Sequence, residues 1–217
     1  MRIKGIGIAL LGLSLHWGAQ AETTDRKLGE FRNTFYCLTL EQDFAKGPMD
    51  TLLDMRGQVL ARVYAGFKKD LFIEGSGKLL DGRVVNYAGT VKKESRYRFS
   101  PNAFGDGVGT CALVPFHTIA VDPKRIPLGS LVRIKETVGM KLPDGSVHNG
   151  LWRADDVGSA IKGDRIDLFV GAGQASGRVL AENGISHLQA LTVELVQAPG
   201  ADNCATSLLL EDATPQE

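Results

Sequence analysis

Two Asp-Gly pairs, Asp81-Gly82 and Asp144-Gly145, each sit between runs of β-forming residues, and they constrain the fold more than any other feature of the chain. An Asp-Gly link adopts positive φ at little cost, so it turns one strand straight back on the next. The first joins the halves of "LLDGRVVNYAGTV" and the second those of "GMKLPDGSVHNGLWRAD". "NTFYCLTL", "GQVLARVYA", "HTIAVDP", "SLVRIKE" and "LQALTVELV" add further strands, the last by alternating apolar and polar residues. The prolines of "PKRIPLG" separate two of them. Only two short helices are predicted. One covers "VYAGFKKDLF", where Val63, Phe67 and Leu71 recur every four residues, and the other covers "AGQASGRVLAENG", closed by Gly184. Many short strands and few helices predict a mostly β fold built on one closed or nearly closed barrel.

Met1 to Ala21 has the three parts of a secretory signal: basic Arg2 and Lys4, the apolar run "IGIALLGLSL", and "AQA" at its end. The run is too short for a membrane span. The expectation is an exported chain starting near Glu22, in the periplasm or extracytoplasmic cell wall, with no transmembrane anchor. Without Arg2 and Lys4, 23 basic residues face 25 acidic ones, which leaves no basic footprint for nucleic acid. Cys37, Cys111 and Cys204 are too few and too scattered for a zinc module. They allow one disulfide, and spacing does not choose the pair. Cys37–Cys204 is preferred because a closing barrel brings its first and last strands together.

The stretch "RADDVGSAIKGDRIDLF" sets Asp155, Asp156, Asp164 and Asp167 among small residues and beside apolar ones. A solvated loop accounts for Asp155 and Asp164. If Trp152 and Ala154 face inward, alternation sends Asp156 inward with them and Asp155 outward. Asp122 ends the strand "IAVDP", and Asp167 lies in the strand "DRIDLFV". Three strand-end aspartates could therefore meet at one mouth of a barrel, although a single strand-end aspartate is more often a turn former. Carboxyls that share such a site cannot all ionise cheaply, and a protonated acid beside an ionised one suits cleavage of an acetal.

"IAVDPKRIPLGSLVRI" followed by "ADDVGSAIKGDRIDLFVG" resembles the 3D domain, a family named for its three aspartates and found in membrane-bound lytic transglycosylases and small stationary-phase cell-wall proteins. The matching positions are Asp122, Asp156 and Asp167. Ser159 stands where the family usually has a glycine. The resemblance implies a six-stranded double-psi β-barrel over residues 108–198. An N-terminal β-rich part (22–107) would belong to the same globular unit, and a tail (199–217) would follow. It also implies cleavage of peptidoglycan between N-acetylmuramic acid and N-acetylglucosamine without water, leaving a 1,6-anhydro end. In that scheme Asp167 is the acid and then the base, Asp156 supports it while ionised, and Asp122 holds the site together. The chain is too short for the second carbohydrate-gripping domain of longer members.

Other residues have weaker cases. Lys162, Gly158 and Ser159 in the loop could contact substrate, and Trp152 or Tyr87 could stack on a sugar ring, although core packing is the commoner fate of such aromatics. His117 and His148 could join Asp122 as metal ligands, but no ligand spacing supports this, and neither metal nor cofactor is expected. The expected partner is the peptidoglycan glycan strand, with other wall enzymes as further candidates, and the chain is expected to be a monomer. A non-catalytic, expansin-like wall-binding barrel is the alternative, which release of soluble muropeptides from sacculi would discriminate.

Overall fold

The computed structural model describes residues 25–200 and Cys204. The segment expected to direct export (residues 1–21) and most of the expected tail lie outside them. The strands are β1 (Arg26–Leu40), β2 (Met49–Leu53), β3 (Val59–Tyr64), β4 (Ser76–Lys78), β5 (Val84–Val91), β6 (Glu94–Ser100), β7 (Thr118–Ala120), β8 (Leu131–Lys141), β9 (Val147–Asp156), β10 (Arg165–Ala172) and β11 (Ala190–Gln197). The helices are α1 (Ala65–Glu74) and α2 (Arg178–Glu182). Both Asp-Gly pairs turn as expected, with Gly82 and Gly145 at φ of 89° and 86°. Val63, Phe67 and Leu71 are all buried, and Gly184 follows α2 at φ 81°.

Strands β10, β7, β9, β8, β11 and β1 pair in that order, and β1 pairs again with β10. This closes a six-stranded barrel. The β1–β10 and β7–β9 pairs are parallel and the rest antiparallel. The barrel interior is filled by one cluster that includes Phe31, Ile119, Val121, Ile134, Trp152, Ala154, Ile166, Leu168 and Val193. The barrel crosses the expected boundary at residue 108, because β1 is one of its staves.

At its far end β1 runs on beside β4 (Thr39↔Gly77, Leu40↔Lys78), and β5 and β6 extend that sheet. With the β2–β3 hairpin and α1 they enclose a separate cluster of Leu52, Val63, Phe67, Leu71, Leu79, Val85 and Tyr97. The N-terminal part is therefore a lobe with its own core. Between lobe and barrel lies a third cluster of Tyr36, Leu38, Val84, Leu113, Ala120, Ile161 and Phe169.

The disulfide differs from expectation. Cys111 is bonded to Cys204, with Cα atoms 5.5 Å apart, and Cys37 is a buried free thiol. Cys37 sits where β1 leaves the barrel for the lobe, its amide donating to Glu74 Oε2 (2.7 Å). The cysteine that meets the tail is in the strap before β7, not in a barrel strand.

Candidate functional site

Three strands bring two of the three acids side by side. Ala120 of β7 is in register with Asp167 of β10 on one side and with Asp156 of β9 on the other. Asp167 is in register with Thr34 of β1. Partners in register point to one face of a sheet, so Asp156, Ala120, Asp167 and Thr34 form a row across the face beneath the lobe. Two strand spacings put the acids' Cα atoms about 10 Å apart, and Ala120, itself buried, sets only a methyl group between them.

The expected placement of Asp156 inside the barrel with Trp152 and Ala154 fails for a local reason. The β7–β9 register slips between Thr118↔Arg153 and Ala120↔Asp156, so one extra residue of β9 is accommodated and strict alternation ends there. Asp155, expected to be outward and solvated, is instead 1% exposed. A strap (residues 105–113) covers it: the Val108 amide donates to the Asp155 carbonyl (2.8 Å). A Cβ on Gly107 would stand 2.4 Å from that same oxygen.

The two acids are held differently. Asp156 Oδ2 accepts from the Tyr36 hydroxyl (2.8 Å) and Oδ1 from the Val157 amide (2.8 Å), so both its oxygens are engaged. Asp167 Oδ1 accepts from the Thr34 hydroxyl (2.6 Å). Burial raises both carboxyls. Asp156 is pushed up to about 7, with Tyr36 and Val157 pulling down and the charges of Asp167 and Asp155 pushing further up. Asp167 is also raised by burial, offset by Thr34, Arg165 and His187. The expectation of a plainly ionised Asp156 thus gives way to a coupled pair in which both carboxyls resist ionisation. Tyr36, itself raised by burial first and then by Asp156, stays a hydroxyl donor.

Asp122 stands off the row and braces the loop between β9 and β10. Its Oδ2 accepts from the Gly163 amide (2.8 Å) and Oδ1 from the Lys124 amide (3.0 Å), which hold it below the usual carboxylate range. Ile161 anchors the same loop in the cluster under the lobe, and Gly158 is required because a Cβ there would lie 2.6 Å from Ile161 Cγ1. Lys162 Nζ donates to the Gly158 carbonyl (3.2 Å), closing the loop on itself, and Ser159 is exposed.

Trp152 does not fit a substrate-stacking role. It is 0% exposed, its indole N–H donates to Thr137 Oγ1 (3.0 Å), and His148 stacks on it. His148 stacks in turn on His117, accepts the Gly150 amide at Nδ1 (2.7 Å) and faces the Phe116 carbonyl through Nε2. With both ring nitrogens engaged it is a core residue. Tyr87 is exposed on the lobe, its ring against Phe72.

Thr34 and Tyr36 are the site residues that sequence reasoning missed. They lie more than 80 residues before the first aspartate of the motif, and only the β1–β10 pairing brings them in. Asn33 helps to seat that strand, its side-chain amide donating to the carbonyls of Ser186 and Gln189 (3.0 and 3.1 Å), and the loop so held carries His187.

Residues 117–185 match the family model of the 3D domain. Among solved structures the chain is similar to Escherichia coli MltA with bound chitohexaose, at 17% identity and TM-score 0.54, with 79% of this chain and 73% of that one covered. It is also similar to the membrane-bound lytic murein transglycosylase of Agrobacterium tumefaciens (17% identity, 78% and 74% covered, TM-score 0.48). A third is the lytic transglycosylase LtgG of Burkholderia pseudomallei (23%, 76% and 71%, TM-score 0.42). No curated protein matches the chain. The first structural likeness places lobe and barrel together within one known fold, and the family match falls on the barrel strands and the loop that carry all three aspartates. The chain thus contains a 3D domain at residues 117–185, set in a barrel that β1 completes.

Proposed function

We propose that the protein is an exported lytic transglycosylase, cleaving peptidoglycan between N-acetylmuramic acid and N-acetylglucosamine and leaving a 1,6-anhydro end. The observation that carries this reading is the row Asp156–Ala120–Asp167, two coupled carboxyls held apart by one small side chain on the barrel face that carries both acids. Asp156, with both oxygens accepting hydrogen bonds, is arranged as a carboxylate, whereas Asp167 has Oδ2 outside its bond to Thr34. Asp167 gives its proton to the leaving oxygen as the bond to the anomeric carbon breaks, and Asp156 steadies the positive charge that builds there. The muramyl 6-hydroxyl then bonds to the anomeric carbon and passes its proton to Asp167, which is restored. No water is consumed. A hydrolase would need its second carboxyl to activate water or to attack carbon.

Asp122 keeps the loop between the acids in place through its bond from the Gly163 amide. The experiment is digestion of purified sacculi in heavy-oxygen water, with mass spectrometry of the soluble products. Unlabelled 1,6-anhydro ends are expected, absent with Asp167→Asn. Labelled reducing ends would identify a hydrolase, and wall binding without soluble products would identify an expansin-like barrel.

A further inference from the structure

Asp155 is a buried carboxyl next to Asp156 that this chemistry does not use. Its side chain is 1% exposed. Among the described residues, neither of its oxygens has a hydrogen-bond donor in line. Among the described residues its counter-charge is Arg153, whose guanidinium lies 2.5 Å from Oδ2 and is itself 45% exposed. The covering is built, not incidental. Asp106, fully buried, accepts from Arg98 (2.5 Å), Ser100 (2.7 Å) and Asn102 (2.6 Å). That network fixes the strap whose Gly107 and Val108 lie directly on the Asp155 backbone, and Gly107 also approaches Asp156 Cβ.

We propose that Asp155 is a positioning residue for the acid pair: a charge kept dry and half-compensated beside Asp156, which sets the pH above which Asp156 serves as the carboxylate of the pair. The inference rests on the reading of Asp156 and Asp167 as the working pair. The groups that face Asp156 are few, and each acts in a known direction. Tyr36 from β1 and the Val157 amide favour its charged form, while Asp167 from β10 and Asp155 from its own strand oppose it. Asp167 is faced by Thr34 from β1, by Arg165 and by His187, and its charge also reaches Glu74 at the end of α1. The strap adds only Asp106, which is tied to Arg98. Of these groups Asp155 can be neutralised without removing a hydrogen bond from either acid. Arg153 would lose its ion pair but, 45% exposed, keeps its contact with solvent.

Asp155→Asn removes a like charge from beside Asp156, so Asp156 ionises more easily and the pair reaches its singly ionised form at lower pH. The test is a carbon-13 carboxyl titration of the free protein together with the pH profile of sacculus digestion. The expected result is an Asp156 midpoint lower by about half a pH unit or more in Asp155→Asn, with the acid limb of activity moved down by the same amount. An unmoved midpoint, or activity lost equally at all pH values with the limb in place, would overturn the proposal. If the variant does not fold, the wild-type titration decides. Asp155 ionising before Asp156, with a coupled step in the Asp156 signal, supports the proposal, and Asp155 keeping its proton beyond the Asp156 midpoint refutes it. The titration needs no glycan. A protein without lytic activity whose Asp156 midpoint still shifts would end the functional reading and leave this one standing.

Discussion

Replacing Asp156 by asparagine should abolish activity and, at alkaline pH, make the protein harder to unfold. In the folded protein the carboxyl is pushed up to about 7 from an ordinary 3.8. Below 3.8 it is protonated whether the chain is folded or not, and burial costs nothing. Between the two values the unfolded chain releases a proton that the folded one keeps, so folding stability falls as pH rises. Above about 7 both states are ionised and the folded protein bears the whole cost. Three pH units at 1.36 kcal/mol each give about 4 kcal/mol. That figure is a ceiling, because Asp156 keeps some contact with solvent. Asparagine carries no charge and escapes the cost. It does weaken the bonds from Tyr36 and Val157, a loss of about 1–2 kcal/mol, but that loss does not vary with pH.

The variant should therefore be level with the wild type or below it at pH 4, and gain on it by about 2–4 kcal/mol by pH 8. Urea unfolding at pH 4, 6 and 8, with linear extrapolation to water, reads this directly. Stability curves that run parallel for the two proteins would refute the reasoning, since Asp156 would then titrate alike in both states.

Ala120→Val should lower cleavage by about 100-fold by filling the gap between the carboxyls, with unchanged pull-down on sacculi; near-normal rates would mean the glycan does not enter there. Asp122→Asn should open the β9–β10 loop, read as protease cutting between residues 157 and 164. Because its amide bonds hold Asp122 below the usual carboxylate range, the wild type should keep that brace above the usual range and lose it as pH falls through the depressed value. Cys37 should resist iodoacetamide at pH 8 in the native protein, since burial pushes its thiol far up; rapid alkylation would show that the barrel–lobe junction opens.

How far the sequence could be read follows from which signals are local. The Asp-Gly turns, the cap at Gly184 and the helix marked by Phe67 and Leu71 depend on neighbours a few residues away and form where the pattern put them, although Val63, counted into that helix, belongs to β3 and the helix begins at Ala65. The strand register between sequence-distant segments is not local. That is why β1 was placed outside the barrel, why Thr34 and Tyr36 went unseen, and why Cys37 was paired with the tail in place of Cys111. Asp156 shows the limit most sharply. Its closeness to Asp167 was legible from the motif, yet its direction was inferred by counting alternate residues along β9, and a slip of one residue opposite Thr118 and Ala120 reverses that count. Nothing in "WRADD" marks the slip, because its cause lies in the partner strand and in Gly107 of the strap, which presses on the extra residue from above. The same slip moves Asp156 from the barrel interior to the face where Asp167 stands. A regular strand would have left Asp167 alone there, with no second carboxyl to couple with.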